Sequence, residues 1–330
     1  MKKVIVGAGA GGLAVIALVT WFGARAIGAE VLDAAWAVPP AIALHAGQLL
    51  ISAMAWRSLQ GGARRLLEPS LGGWTRIRWI REAVNSMLPV AQLGGNLVGI
   101  RLLTQCGVPG TLAGAATTLD VTVEAITQLV FTLMGIAALP ATAGIGAETL
   151  WLAGGIALTG LSLAGFMLAQ RAGLLRLVEA IAERLQPFVP GLSVDAVRGL
   201  HAELMRLNRD RSALTQAIIL HQMAWVIGTV ETMLALAAMG RYPGLGGALA
   251  IESLGMAARS VGFVVPGSLG VQEGGFILVG GMFGLPPDAA IALSMVKRTR
   301  ELAVGVTGLV AWQWVEGRRL VRRAAASANR

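Results

Sequence analysis

Residues 74–105 read WTRIRWIREAVNSMLPVAQLGGNLVGIRLLTQ, and residues 247–284 read GALAIESLGMAARSVGFVVPGSLGVQEGGFILVGGMFG. Each stretch is apolar over a length that could cross a bilayer, and each is broken near its middle. The breakers are Pro89 with Gly94 and Gly95 in the first, and Pro266, Gly267 and Gly270 with Gly274 and Gly275 in the second. Proline removes a helix hydrogen bond and clashes with the preceding turn. Non-helical backbone at membrane depth is tolerated only where protein or a water-filled cavity covers it. Both stretches are therefore expected to be re-entrant hairpins of two half-helices.

Around them lie uninterrupted apolar runs at about 4–22, 38–56, 111–139, 148–170, 213–239 and 288–314, each of spanning length. The expected fold is all-α, a polytopic membrane protein with about six full transmembrane helices plus two re-entrant hairpins. Composition agrees: 55% of the 330 residues are hydrophobic, 14% are charged and mean hydropathy is +0.68, whereas soluble domains carry about 25% charge. The net charge of +9 comes mostly from arginine, which with the alanine and glycine content points to a GC-rich bacterial genome. Those arginines cluster between apolar runs, as cytoplasmic loops require, which argues against nucleic-acid binding. The single Cys106 and the scattered His45, His201 and His221 give no metal-ligand or redox spacing, so no cofactor is expected. Gly7, Gly9 and Gly12 with Glu30 mimic a dinucleotide fingerprint. The stretch Leu13–Phe22 has only Thr20 as a polar side chain, and a Rossmann helix needs a wet face, so a membrane span is the better reading.

Counting basic residues sets the expected topology. The N-terminus, 57–81, 171–211 and 317–330 together hold 20 Lys and Arg, while the opposite loops hold only Arg25 and Arg241. With both hairpins re-entrant, all four basic segments fall on the cytoplasmic side of a bacterial inner membrane, as do both termini. Segment 171–211 alternates Leu174, Leu177, Val178, Ile181 and Leu185 with charges. It reads as an amphipathic pair of helices, either on the membrane surface or as a solvated linker.

Shifting the chain by 177 residues places Pro89 on Pro266, Gly107 on Gly284, Pro109 on Pro286, Thr122 on Thr299 and Glu124 on Glu301. The chain thus reads as one membrane domain, 1–330, built of half-repeats at about 38–139 and 213–314. Span 148–170 and segment 171–211 join them. Span 38–56 runs outward to inward and its counterpart runs inward to outward, which makes the repeat inverted, as in many secondary transporters.

Five basic residues, Arg101, Arg259, Lys297, Arg298 and Arg300, and five acids, Asp120, Glu124, Glu252, Glu273 and Glu301, fall inside the apolar segments. Each ionised group at the bilayer centre costs about 2.5–3.5 kcal/mol on insertion scales, so they must pair or face water. Asp120 and Glu124 share a helical face, as do Lys297, Arg300 and Glu301. The expectation is that helices 111–139 and 288–314 meet across the repeat axis, with Asp120 and Glu124 facing Lys297, Arg298 and Arg300. They could form a simple staple or a polar cavity for a lipid headgroup. His45, His221 and Glu231 read as packed polar residues.

R-E-A-V-N-S-M-L-P at 81–89, then Gln92, Gly94-Gly95-Asn96 and Arg101, then D-V-T-V-E at 120–124, with P-G-S-L-G-V-Q-E-G-G at 266–275, resemble the lysylphosphatidylglycerol-synthase transmembrane, or flippase-like, family. Within it the chain is most similar to the hopanoid-biosynthesis-associated branch, from about residue 40 to 315. The wider family tends to carry a basic residue and a Gly-acid pair where Gln92 and Gly94-Gly95-Asn96 stand here, so anionic phospholipid selectivity is not carried over. No soluble aminoacyl-transferase segment accompanies the spans, so neither is lipid aminoacylation.

The resemblance implies translocation of a membrane lipid, hopanoid type first, with lipid-biosynthesis or export proteins as partners. The candidate cavity residues are Arg81, Asn85, Gln92, Asn96, Arg101, Asp120, Glu124, Glu252, Arg259, Ser268, Gln272, Glu273, Lys297, Arg298, Arg300 and Glu301. The competing readings are a scaffold for lipid biosynthesis and a membrane prenyl-diphosphate phosphatase. The latter is suggested by Glu252, Arg259 and P-G-S-L-G, although Leu269 stands where that motif carries a basic residue.

Overall fold

The computed structural model describes residues 24–60, 69–88, 94–139, 194–261 and 270–328. Among these residues every regular element is helical: α1 (Ala24–Asp33), α2 (Val38–Ser58), α3 (Leu71–Met87), α4 (Gly94–Gln105), α5 (Gly110–Ala137), α6 (Val194–Leu207), α7 (Arg211–Ala238), α8 (Gly244–Val261), α9 (Val271–Met282) and α10 (Pro287–Ala328). A single 3-10 turn at Ala35–Ala37 leads into α2. Runs 4–22 and 148–170, segment 171–193, and Pro89, Gln92, Pro266, Gly267 and Ser268 lie outside the described residues.

The local chemistry explains the ends. Helix α3 starts where the Ser70 hydroxyl accepts from the Gly73 N–H, and α7 where the Asp210 carboxylate accepts from the Ala213 N–H at 3.0 Å. Helix α2 opens on prolines, which suit a first turn whose N–H groups have no helical partner. In α5, Thr117, Thr118, Thr122, Thr127 and Thr132 each donate to the carbonyl four residues earlier, so their hydroxyls are satisfied without water. The segments Ala35–Ser58, α5 and α7 are long and apolar enough to cross a membrane. Helix α10 covers the expected run 288–314 but continues to Ala328. Helix α1 was expected as loop; its Glu30 meets Arg241 at 2.9 Å, so two segments expected on the same side of the bilayer are joined there. That hydrogen bond holds the Arg241 guanidinium above its ordinary value.

The 177-residue offset reappears in the coordinates. It carries α4 onto α9 end for end, the start of α5 onto the start of α10, and α2 into α7. The turn after α4 matches the turn after α9 bond for bond. Val108 N–H donates to Leu103 O at 3.2 Å and Leu285 N–H to Gly280 O at 2.9 Å, and the intervening Gly107 and Gly284 have φ of 94° and 73°. Glycine adopts this left-handed conformation without steric cost and so closes both helices alike.

Counterparts α2 and α7 pack on each other antiparallel. Gln48 Nε2 donates to Ala224 O at 2.9 Å, and ten residues further along α2, Ser58 Oγ reaches Ala213 O at 3.5 Å, eleven residues back along α7. Residues 47 and 224 are counterparts, so the pseudo-twofold axis passes beside the Gln48 bond. Helix α3 packs against α4 and α8 against α9, as the expected hairpins require. Each inner helix then crosses to the long helix of the other half, α3 on α10 and α8 on α5. Trp79 Nε1 donates to Val304 O at 2.8 Å, and at the matching place Gln128 Nε2 donates to Met256 O at 3.4 Å. Helices α1 and α6 extend the pattern by packing on α10 and α5.

Two apolar cores result, one around Trp56, Trp74 and Leu103 and one around Phe276, Leu293 and Leu254. Glycine sets several of the close approaches. Gly94, Gly95, Gly274 and Gly275 were expected to interrupt the hairpins, but they lie within α4 and α9. Gly270 does fall in the interruption, with a positive φ of 82° at the N-cap of α9. A Cβ on Gly95 would strike the Arg81 carbonyl oxygen and the Asn85 side chain, whereas one on Gly274 would meet nothing within 4 Å. Gly95→Ala should therefore lower the thermal unfolding midpoint of the detergent-solubilised protein. Gly274→Ala should leave it unchanged or raise it slightly through helix propensity, worth up to about 1 kcal/mol. Equal midpoints for the two variants would contradict this packing.

Candidate functional site

Helices α3, α4 and α5 carry the first cluster. Arg81 Nη1 donates to Asp120 Oδ2 at 2.5 Å and Arg78 Nη1 to the same oxygen at 3.1 Å, while Arg78 Nη2 bonds Glu124 Oε1 at 2.6 Å. The other Asp120 oxygen lies 2.9 Å from His221 Nε2 on α7. Asp120 is fully buried, and these three groups supply what water would otherwise give a carboxylate. Arg81 also stacks its guanidinium 4.8 Å from the Trp56 ring centroid and donates from Nε to Asn96 Oδ1 at 2.7 Å. Asn85 Oδ1 accepts from the Gly95 N–H at 2.8 Å and so caps the start of α4.

The second cluster lies on α7, α8, α9 and α10. Lys297 Nζ sits 2.8 Å from Glu252 Oε2 and 3.6 Å from Glu231 Oε1, and Arg300 Nη1 donates to Glu231 Oε2 at 2.7 Å. Arg298 Nε donates to Glu273 Oε1 at 2.7 Å, Arg259 pairs with Glu301, and Gln272 Oε1 accepts from Arg259 Nη1 at 3.3 Å. Glu273 also accepts from Ser294 Oγ and from the Gly270 N–H at the start of α9. Thr232 Oγ1 donates to Glu252 at 2.6 Å.

The structure changes several expectations. Asp120 and Glu124 do not face Lys297, Arg298 and Arg300, because, within the α2–α7 pair, α5 packs mainly on α7 and α10 mainly on α2, and each long helix finds its counter-ions within its own half, α5 on α3 and α10 on α7, α8 and α9. Arg78 and Arg81 are not loop cations. Both are buried in α3, which moves two arginines from the cytoplasmic count into the apolar interior. Arg101 stands apart from both clusters, exposed and bonded to Glu316 at 3.1 Å. Glu252 and Arg259, the pair behind the phosphatase reading, bond to different partners. His45, His221 and Glu231 all belong to the clusters.

A second difference concerns the sites where the clusters open. Most charged members are sealed, but the side chains of Glu82 and Glu124 keep 34% and 30% of their accessible surface. Glu82 was not among the expected site residues. It lies within electrostatic reach of Arg78 from one cluster and Arg259 and Arg300 from the other, and so stands between them.

Residues 5–307 match the family described as the lysylphosphatidylglycerol synthase TM region. The chain belongs to that family. Membership of the lysylphosphatidylglycerol synthase TM region family puts the chain in a membrane and gives it a lipid-related role. Neither the curated proteins nor the solved structures give a match.

Removing one partner from a buried ion pair strands the other and costs about 3–5 kcal/mol. Lys297→Met should therefore destabilise the protein strongly, and adding Glu252→Gln should restore a large part of the loss. Adding Asp120→Asn should restore none. Thermal melts of the single and double variants in detergent would give the two coupling energies. A large coupling between positions 120 and 297 would overturn the assignment of pairs.

Proposed function

We propose that the chain moves a membrane lipid between the leaflets of a bacterial inner membrane, a hopanoid-type lipid first, by alternating exposure of a polar cavity between its two halves. The observation that carries this reading is the partial accessibility of Glu82 and Glu124 in clusters that are otherwise closed. A staple that only held helices together would have no reason to leave two carboxylates open at this cost.

The residues suggest how a headgroup would be handled. Glu82 Oε2 and the half-open Glu124 carboxylate, whose oxygens Arg78 already engages, accept hydrogen bonds from the hydroxyls of a headgroup, while Arg78 and Arg81, held by Asp120, offer planar donors to its oxygens. Each headgroup bond replaces one that the cluster makes with itself, so entry does not require a bare charge in the bilayer. The hydrocarbon body of the lipid stays between helices. The two helix pairs, α3–α4 and α8–α9, enter as re-entrant hairpins from opposite faces, and both termini lie in the cytoplasm. Because each inner helix packs on the long helix of the other half, rocking one half closes one opening as it widens the other.

Purified protein in phospholipid vesicles doped with a hydroxylated hopanoid should speed its appearance in the outer leaflet over protein-free vesicles. Glu124→Gln should lose most of that acceleration while its melting midpoint falls less than that of Lys297→Met, since Arg78 keeps Asp120 as a partner. No leaflet movement of any lipid, together with an unaltered hopanoid distribution in a deletion strain, would remove the proposal.

A further inference from the structure

In the buried clusters the permanent ion pairs described above stay within one half, and the bonds from a charged side chain of one half to the other half come from two histidines. His221 of the second half bonds Asp120 of the first, and His45 of the first half bonds Arg300 of the second. Neither histidine is repeated in the other half: the counterpart of His221 is Leu44 and that of His45 is Gln222, and His45 sits on α2 beside the pseudo-twofold axis, three residues from Gln48.

The groups around His45 are fully accounted for by the elements packed on α2. From α3 comes Glu82, whose Oε1 lies 2.7 Å from His45 Nε2, with Arg78 beyond it. From α10 comes Arg300, whose Nη1 lies 3.0 Å from Nδ1, with Lys297 one turn away. Helix α7 brings Glu231, bonded to that same Arg300 nitrogen. Helix α5 brings Asp120 and Glu124, which are already engaged by Arg78 and Arg81. From α2 itself comes Gln48, whose Oε1 lies 2.9 Å from Nδ1.

Two of these neighbours make incompatible demands on one nitrogen. A guanidinium only donates, so Arg300 needs a lone pair on Nδ1. Gln48 presents an oxygen, which needs a proton there. Its amide cannot be turned to remove the conflict, because its Nε2 already donates to the Ala224 carbonyl, which only accepts. A neutral ring with its proton on Nε2 satisfies Glu82 and Arg300. A doubly protonated ring satisfies Glu82 and Gln48.

The charge balance points the same way. Within the two clusters and the His45–Glu82 pair between them, the permanent cations are Arg78, Arg81, Arg259, Lys297, Arg298 and Arg300, and the carboxylates are Glu82, Asp120, Glu124, Glu231, Glu252, Glu273 and Glu301. One carboxylate is in excess. Asp120, Glu124, Glu231, Glu252, Glu273 and Glu301 each have an arginine or lysine within ion-pair distance, whereas Glu82 has only the imidazole. Neutrality in hydrocarbon then requires one proton, and histidine is the side chain whose ordinary titration lies nearest physiological pH. His221 faces Asp120, whose charge Arg78 and Arg81 already engage, whereas His45 faces the one cluster carboxylate that no arginine or lysine pairs among the described residues.

We propose that His45 and Glu82 form a proton-binding site at the junction of the two halves. Binding exchanges the bond from His45 to Arg300, which ties α2 to α10, for a bond to Gln48 within α2. A proton thus removes one of the contacts that hold one half to the other. Its role as the coupling ion for lipid movement rests on the translocation reading, but the site itself does not.

The test is nitrogen NMR of the full chain, labelled with 15N-histidine and reconstituted in phosphatidylcholine vesicles, with the His45 signals taken from the difference against His45→Gln. Between about pH 5 and 8 the expected spectrum passes from an imidazolium to a neutral ring whose bare nitrogen is Nδ1. Glu82→Gln, which keeps all three histidines, should show the imidazolium only in more acidic buffer. If His45→Gln does not fold, that response to position 82 identifies the signal instead. A His45 ring locked in one protonation state across the range, or one indifferent to Glu82→Gln, overturns the proposal. The readout is protonation, so a failure of lipid movement in vesicles would leave this result standing.

Discussion

An ionised carboxylate with no contact to solvent persists in a membrane protein only if cations reach it, and Asp120 sets the geometry of the first half by that requirement. Two guanidiniums from one face of α3 and an imidazole from α7 converge on its oxygens. To deliver Arg78 and Arg81 to that point, α3 must lie close along α5, and α4 must fold back tightly enough for Gly95 to touch the Arg81 carbonyl. The second half meets the same demand with signs reversed: Lys297 stands where Asp120 stands, and Glu252 and Glu231 converge on it. Glu82 and Arg259 are likewise counterparts of opposite charge. The repeat preserves the backbone and the need for compensation, and leaves the sign of each charge free.

That freedom explains what could and could not be read in the sequence. The breakers, the 177-residue offset and the long apolar runs follow from backbone requirements that glycine and proline mark directly, and the ends of α2, α5 and α7 fall within a few residues of the expected places, whereas α10 runs on past 314 to Ala328. Gly107 and Gly284 were alignable by identity and prove to hold the same left-handed turn. The partners of the buried charges were not legible, because depth along a helix says how far a residue lies from the surface and not which neighbour it faces. Asp120 and Lys297 share a depth, yet Asp120 finds its guanidiniums and Lys297 its carboxylates within its own half.

Arg78 was missed as a site residue, and Arg81 was named only through the family resemblance, for a related reason. Counting basic residues by loop treats every arginine before the first breaker as cytoplasmic, whereas α3 begins at Leu71 and carries both residues into the interior. The signal that could have found them was the first half's own balance, since Asp120 and Glu124 had only Arg101 as an embedded cation in that half. The histidines were harder to place. A lone histidine on an apolar helix is ordinarily a satisfied core residue, and nothing in the local sequence of His45 shows that Glu82, Gln48 and Arg300 converge on it from three helices.

The antiparallel crossing of α2 and α7 makes the two halves inverted with respect to each other, and the rest of the account depends on that inversion being realised across a bilayer. Sidedness of thiol labelling tests it most directly. Native Cys106 follows α4 and is exposed, and Gly281, at the end of the matching helix α9, has open space for a new side chain. In right-side-out vesicles an impermeant maleimide should leave Cys106 unlabelled until the membrane is opened, and should label Gly281→Cys in a Cys106→Ala background at once. Labelling of both positions from one face would contradict the account.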